Sequence, residues 1–181
     1  SVPGLTLPQQ SADAVLCSHY HDDHGAAEKV TLTGRPCGYE VGALECFHDE
    51  AEGAKRGKNL IHIVSAEGVR VVHLGDLGCG LTREQEEKIS GCDALMLPVG
   101  GILTIEPYAA YELVRRTGPG LVLPMHYNVG GGSRRLRPLE EFISLFSPEE
   151  AEYLPTNRLT LDKSTRPAAL VAVLRPPWRG K

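Results

Sequence analysis

The sequence predicts an α/β fold whose strands deliver polar residues to one rim of a sheet. Three observations carry that reading. Residues 94–97 (Ala-Leu-Met-Leu) and 121–123 (Leu-Val-Leu) are strand-length apolar runs separated by a helical stretch over 104–116. A strand, a helix and a strand imply a parallel pair with a right-handed crossover, so both carboxyl ends share an edge. A hairpin pattern precedes them, since residues 60–65 and 69–74 flank Ala66-Glu67-Gly68, with Gly68 supplying a positive φ. The candidate ligands cluster at the ends of such runs, where open α/β sheets build their sites. With 181 residues and 41% apolar content, one domain over residues 1–181 can bury a sizeable core.

In chain order, residues 1–12 contain Pro3, Gly4 and Pro8, have no period and read as loop. Residues 14–17 (Ala-Val-Leu-Cys) read as a short buried strand, followed by a short helix over about 23–30. In the second hairpin strand Val69, Val71 and His73 share one face, so His73 is a core or supporting histidine rather than a ligand, and His62 receives no role. Thr82 and Gln85 form a capping box for a helix over 83–90. Thr104 is expected to cap the helix that runs to Arg116, with Pro107 in its first turn and Gly118-Pro119 ending it. Gly100-Gly101 reads as a tight turn or a close approach to substrate, and residues 130–133 as a flexible connection. A last amphipathic helix is expected over 138–146, then strand-like runs at 158–161 and 168–174.

The chemistry concentrates in His19-Tyr20-His21-Asp22-Asp23-His24, an H-x-H-x-D-H pattern with four potential metal ligands in six residues. On an extended chain His19 and His21 leave the same face and can converge on one ion. Asp23 and His24 on the following turn can serve a second ion. Imidazole and carboxylate together suit zinc and also manganese or iron. His48 and His126 stand alone in mixed segments, and Asp76 ends an apolar run, so each is weak by itself.

Taken together and in this order, Ser18 to His24, His48-Asp49, Gly75-Asp76 and residues 124–127 (Pro-Met-His-Tyr) resemble the metallo-β-lactamase fold superfamily of hydrolases, in particular the ascorbate-6-phosphate lactonase-like branch. The resemblance implies an αββα sandwich and two divalent metal ions. It implies His19, His21 and His48 on one ion, Asp23, His24 and His126 on the other, and Asp76 bridging both. True β-lactamases of the superfamily often use a cysteine ligand, and none of the five cysteines stands at a ligand position, which argues against antibiotic hydrolysis. Members usually begin with a strand pair before the histidine motif. Only about a dozen residues precede the 14–17 strand that carries it here, so the chain is expected to lack the amino-terminal β-hairpin and to leave one side of its sheet uncovered.

The expected activity is metal-dependent hydrolysis of a small, anionic ester or lactone by a dinuclear-site hydroxide, with Asp23 and Asp76 as the catalytic carboxylates. Basic residues near the ligands are the candidate substrate contacts: Lys55, Arg56 and Lys58 after His48, and Arg134, Arg135 and Arg137 after His126. Tyr20 and Tyr127 can donate to an oxyanion or simply pack beside the site. No G-x-S-x-G elbow is present. Two alternatives remain: a phosphodiesterase or nuclease of the same fold, and a non-catalytic metal-binding or interaction protein. A net charge of −4 makes nucleic acid an unfavoured partner. No apolar run is long enough to span a bilayer, so no membrane partner is expected. Cysteines 17, 37, 46, 79 and 92 form no C-x-x-C pair and read as reduced, mostly buried thiols of a cytoplasmic protein, with Cys79 a minor alternative ligand. A homo-oligomer is compatible with the sequence.

Overall fold

The computed structural model describes residues 9–22, 24–129, 136–162 and 168–176. Its first strands, β1 (Gln10–Ala12) and β2 (Val30–Leu32), form a separate parallel pair. Residues 10–12 are therefore strand rather than the expected loop. The remaining strands form a seven-stranded sheet in the order β3-β4-β5-β6-β7-β9-β8. β3 (Glu40–Phe47), β4 (Lys58–Ala66) and β5 (Val69–His73) are an antiparallel meander. β6 (Ala94–Pro98), β7 (Val122–Met125), β8 (Ala151–Tyr153) and β9 (Val171–Val173) extend it in parallel.

The β4–β5 hairpin turns on Glu67 (φ 52°) and Gly68 (φ 77°), two consecutive left-handed residues whose twist suits a two-residue connection. The parallel β6–β7 pair is joined, as expected, by a helix. Helix α1 (Arg83–Ile89) carries the predicted capping box: Thr82 Oγ1 accepts from Gln85 N–H at 3.3 Å, and Gln85 Oε1 accepts from Thr82 N–H at 2.7 Å. Helix α2 (Pro107–Thr117) starts later than expected, with Glu106 rather than Thr104 at its cap. Pro107 has a fixed φ and no N–H to lose, so it suits the first helical position. The Ile105 N–H, excluded from the helix, donates to Leu77 O at 2.8 Å and ties the 101–106 loop to the rim. Gly118 ends α2 in the left-handed conformation.

The expected helix over 138–146 is shorter. Helix α3 (Glu140–Ile143) gives way to i to i+3 turns that keep Phe142 and Phe146 edge to face, 5.0 Å between centroids. Residues 158–161 form no strand, and β8 takes the edge instead. One sheet face packs Ile61, Val72, Leu74, Leu95, Leu97 and Val122 against Ile89, Ala110, Leu113, Val114 and Phe142 of the helices. Each fully buried aliphatic side chain contributes about 1.5–3 kcal/mol. On the other face His62, His73, Met96 and Leu123 line up in register, with Met96 and Leu123 half-buried.

This topology fixes where the site lies. β3 and β5 are both antiparallel to β4, and β5, β6 and β7 are parallel, so four strands point the same way. Their carboxyl ends, and the start of β4, share one rim. The chain matches an α/β fold with a large mixed sheet and few helices.

Candidate metal centre

His48 follows β3 directly, Asp76 lies three residues beyond β5, and His126 follows β7 directly. The sheet thus delivers three of the sequence-predicted ligands to one place. The histidine motif arrives differently. Residues 14–17 pair with no strand, and Leu16 is 45% exposed, contrary to the expected buried strand. Both sides of β4 are already taken by β3 and β5, which leaves no edge for another strand. β5 pairs with β4 only as far as His62, so the Leu60 N–H beyond it is met by Ser18 O at 2.8 Å. His62 Nε2, at 3.1 Å from Cys17 O, holds the same segment. Those two contacts set His19 over the rim.

A tight turn follows in place of the expected helix. His21 O accepts from His24 N–H at 2.9 Å and from Gly25 N–H at 2.8 Å, and only Ala27–Lys29 forms a 3-10 turn. The turn folds His24 back beside His19, with ring centroids 4.6 Å apart.

Asp76 is the centre of the cluster. Its Oδ2 lies 3.3 Å from His48 Nε2 and from His126 Nε2, and 3.7 Å from His19 Nε2 and from His24 Nε2. Two groups have the spacing to hold an ion: His19, His21 and His48, and His19, His24 and Asp76, with the ligand atoms of each within 4.8 Å of one another. Asp23, expected to join the second, lies outside the described residues. None of the cysteines joins either group, although all five are free as expected; Cys37 is exposed rather than buried.

The donor set fits a divalent cation. His19 Nε2, which faces Asp76, is buried without a hydrogen-bond partner among the described residues, and the Nε2 atoms of His48 and His126 turn to the same carboxylate. The tautomer of His19 that donates Nδ1–H to Ser18 Oγ, at 2.9 Å, leaves the Nε2 lone pair turned toward Asp76. Burial presses His19 down to about 4 against the pull of Asp76, and burial lowers His126 as well, so both are neutral donors at neutral pH. Burial would lower His48 too, but its contact with Asp76 prevails and raises it. For Asp76 burial acts upward, and the surrounding histidines, His48 first, outweigh it and hold the carboxyl at about 2.

Glycines let these segments meet. A Cβ on Gly75, which has φ 58°, would lie 2.3 Å from Asn59 Oδ1 and 2.6 Å from Ser18 Cβ. A Cβ on Gly78 would lie 2.2 Å from the His48 carbonyl, and one on Gly100 would lie 2.1 Å from His126 O. Gly100 therefore serves contact with the backbone of His126, a candidate ligand. His126 itself has φ 52°, a strained conformation for a residue with a Cβ.

Two supporting residues have no spacing signal in the sequence. Asn59, fully buried, accepts the Asp76 N–H on Oδ1 at 3.0 Å and donates to Leu74 O at 2.8 Å. Asp49, also fully buried, accepts backbone N–H groups from Ala51, Gly53, Lys55 and Arg56 at 2.6–3.1 Å. Those four bonds outweigh burial and hold its carboxyl below the usual range. Only its position beside His48 could have drawn notice.

Of the expected substrate contacts, Arg56 lines the site. With His21, His24, His48, Asp76, Leu103 and His126 it encloses a cavity of about 310 Å³. Lys55 is exposed and paired with Glu50, and Lys58 is exposed and paired with Glu45, so neither lines that wall. Tyr127 packs against the core, Tyr20 is exposed, and Arg137 is paired with Glu106 and Glu141. Arg134 and Arg135 lie outside the described residues.

Residues 2–126 match the family described as the beta-lactamase superfamily domain. This chain belongs to the β-lactamase superfamily. Superfamily relatives include a UPF0173 metal-dependent hydrolase of Methanoculleus marisnigri, 32% identical over 58% of this chain and 51% of the relative. Another, from Thermoplasma acidophilum, is 30% identical over 50% of this chain and 41% of the relative. The chain thus spans about half the length of these curated relatives. Among solved superfamily structures, a Thermotoga maritima protein provisionally described as a Zn-dependent hydrolase superposes with a TM-score of 0.72. It is 32% identical, and the match covers 93% of this chain and 84% of that one. Among the described residues no helix is long and apolar enough to cross a membrane.

Proposed function

We propose that this chain is a metal-dependent hydrolase that uses two divalent cations, zinc foremost with manganese or iron as alternatives, on a small anionic ester or lactone. The observation that carries the reading is the convergence of four imidazoles from three separate segments on one Asp76 oxygen, with His21 completing a second ligand group beside them. The names of the relatives support the hydrolase class. When bound, divalent cations supply Lewis acidity that lowers the pKa of water from about 15.7 toward about 7. Hydrolysis adds the water oxygen to the acyl carbon, breaks the acyl C–O bond and passes a proton to the departing oxygen.

The chain's own residues would then divide the work. His19, His21 and His48 would hold one cation and His24, His126 and Asp23 the other, with Asp76 serving both. Asp76, buried among the imidazoles, would supply the compensating negative charge. In this reading Asp23 is the carboxylate that orients water and takes its proton. The half-enclosed cavity admits a small molecule and places it against these ligands.

Metal analysis and a substrate panel test the proposal together. Purified protein should hold about two ions per chain, a number that His21→Ala reduces. Lactones and carboxylic esters should be hydrolysed in a chelator-sensitive way. Turnover of bis-p-nitrophenyl phosphate alone, with salt-sensitive RNA binding, would replace this reading by a phosphodiesterase. One zinc ion that His21→Ala leaves in place would make the site structural.

A further inference from the structure

Arg56 stands apart from the cations around it. Lys55, Lys58 and Arg137 each have a carboxylate partner, whereas the half-buried Arg56 side chain has none among the described residues. It lines the metal-ligand cavity and also a neighbouring one of about 350 Å³, and the two share Arg56 and Leu103 as a common wall. The second cavity contains Thr104, a residue only 8% exposed whose Oγ1 is buried without a hydrogen-bond partner among the described residues. A buried hydroxyl left unmet costs stability unless something binds it. Glu50 and Glu106 also line this space, but Glu50 is paired with Lys55, while Glu106 is paired with Arg137 and accepts the Ile102 N–H. Among the described residues Arg56 therefore supplies the uncompensated charge.

The backbone around this space is held firmly. Asp49 fixes the Arg56 N–H at 2.6 Å, and the opposing loop carries Gly101 and Ile102 at φ 58° and 61°. A β-branched residue in that conformation is strained, and such strain persists where a surrounding structure imposes it.

We propose that Arg56 and Thr104 form a subsite for a carboxylate on the substrate, beside the ester or lactone bond held at the metal ligands. The donor count favours a carboxylate: the guanidinium fork satisfies both oxygens and the Thr104 hydroxyl adds one bond, whereas three phosphate oxygens would call for more donors. Substrates are thus bifunctional, with the bond to be cleaved at one end and a carboxylate at the other. This inference deepens the hydrolase reading and rests on it for the cleaved bond, though not for the anion.

The test compares 4-nitrophenyl hydrogen adipate with its methyl ester, identical but for the charge, on zinc-loaded protein. Wild type should favour the anionic ester in kcat/KM, and that preference should fall about tenfold or more in Arg56→Gln. Arg56→Lys should recover part of it. Thr104→Val should lower the preference several-fold without lowering the melting temperature, because it deletes a buried hydroxyl that has no partner among the described residues. Lys88→Gln, the same charge change on α1, should keep the preference. An unchanged preference in Arg56→Gln, or none in wild type, overturns the subsite.

If neither ester is cleaved, the hydrolase reading fails and the subsite is judged by binding alone. In metal-free protein, monomethyl adipate should raise the melting temperature more than sodium chloride at equal ionic strength, and Arg56→Gln should abolish the difference. No such rise in wild type, or a larger rise with inorganic phosphate than with monomethyl adipate, overturns the proposal.

Discussion

Asn59 holds Asp76 by its backbone: the Asn59 side-chain oxygen accepts the Asp76 N–H at 3.0 Å while its amide nitrogen donates to Leu74 O at 2.8 Å. One buried side chain thereby satisfies both ends of the bend that carries the central carboxylate. Asn59→Leu keeps the approximate volume and removes both bonds. It should cost about 1–3 kcal/mol in urea unfolding and weaken metal binding about tenfold or more in competition with a chelating dye. Wild-type affinity in the variant would show that the bend holds itself.

Gly78 and Gly80 lie two residues apart and should respond in opposite ways. A methyl group on Gly78 meets the His48 carbonyl at 2.2 Å, whereas one on Gly80 meets nothing within 4 Å. Gly78→Ala should destabilise by about 1–3 kcal/mol or more. Gly80→Ala should stay within about 0.5 kcal/mol of wild type. Chemical denaturation of both variants decides the matter, and equal midpoints would refute the close approach.

The Asp49 loop gives a pH signature. The Asp49 carboxyl is held below its ordinary value by four backbone donors, so its contribution is present above about pH 4 and is lost as pH falls through the lower, folded value. Asp49→Asn should therefore melt well below wild type at neutral pH. The gap should narrow as acid protonates the wild-type carboxyl. A gap that is constant with pH would mean that charge plays no part in holding the loop.

His48 and Asp76 should titrate as partners in metal-free protein. Asp76 raises the His48 imidazole, so Asp76→Asn should move the His48 midpoint downward. The same substitution should remove bound metal, because it deletes the charge at the middle of the ligand set. NMR of the imidazole protons and metal analysis read the two effects separately.

The cluster was legible because its residues sit where the chain is locally simple. His19 to His24 are adjacent in sequence, and Asp76 and His126 end apolar runs that become β5 and β7. Residues 14–17 misled for a physical reason: a short apolar run can cross a sheet as readily as join it, and β4 had no free side. β3 escaped notice because it is exposed along most of its length and carries Glu40, Gly42 and Glu45 among its apolar residues. Thr104 looked like a cap until Pro107 claimed the first helical position. Asn59 and Asp49 act on main-chain groups, and such partnerships leave no periodic trace. Arg56 was one of three basic neighbours, and only the side-chain pairings of Lys55 and Lys58 single it out.

The segment between β3 and β4 closes on itself: His48 N–H donates to Gly57 O at 3.1 Å, Gly57 N–H to Gly53 O at 2.8 Å, and Asp49 gathers the amides between. Such a knot behaves as an interchangeable cartridge. Its outward side chains can be exchanged wholesale, provided that the buried aspartate and the two turn glycines stay, without shifting the register of the strands on either side. Under the proposed function, selectivity could thus drift during evolution, or be redesigned at the bench, while the candidate ligands are left untouched.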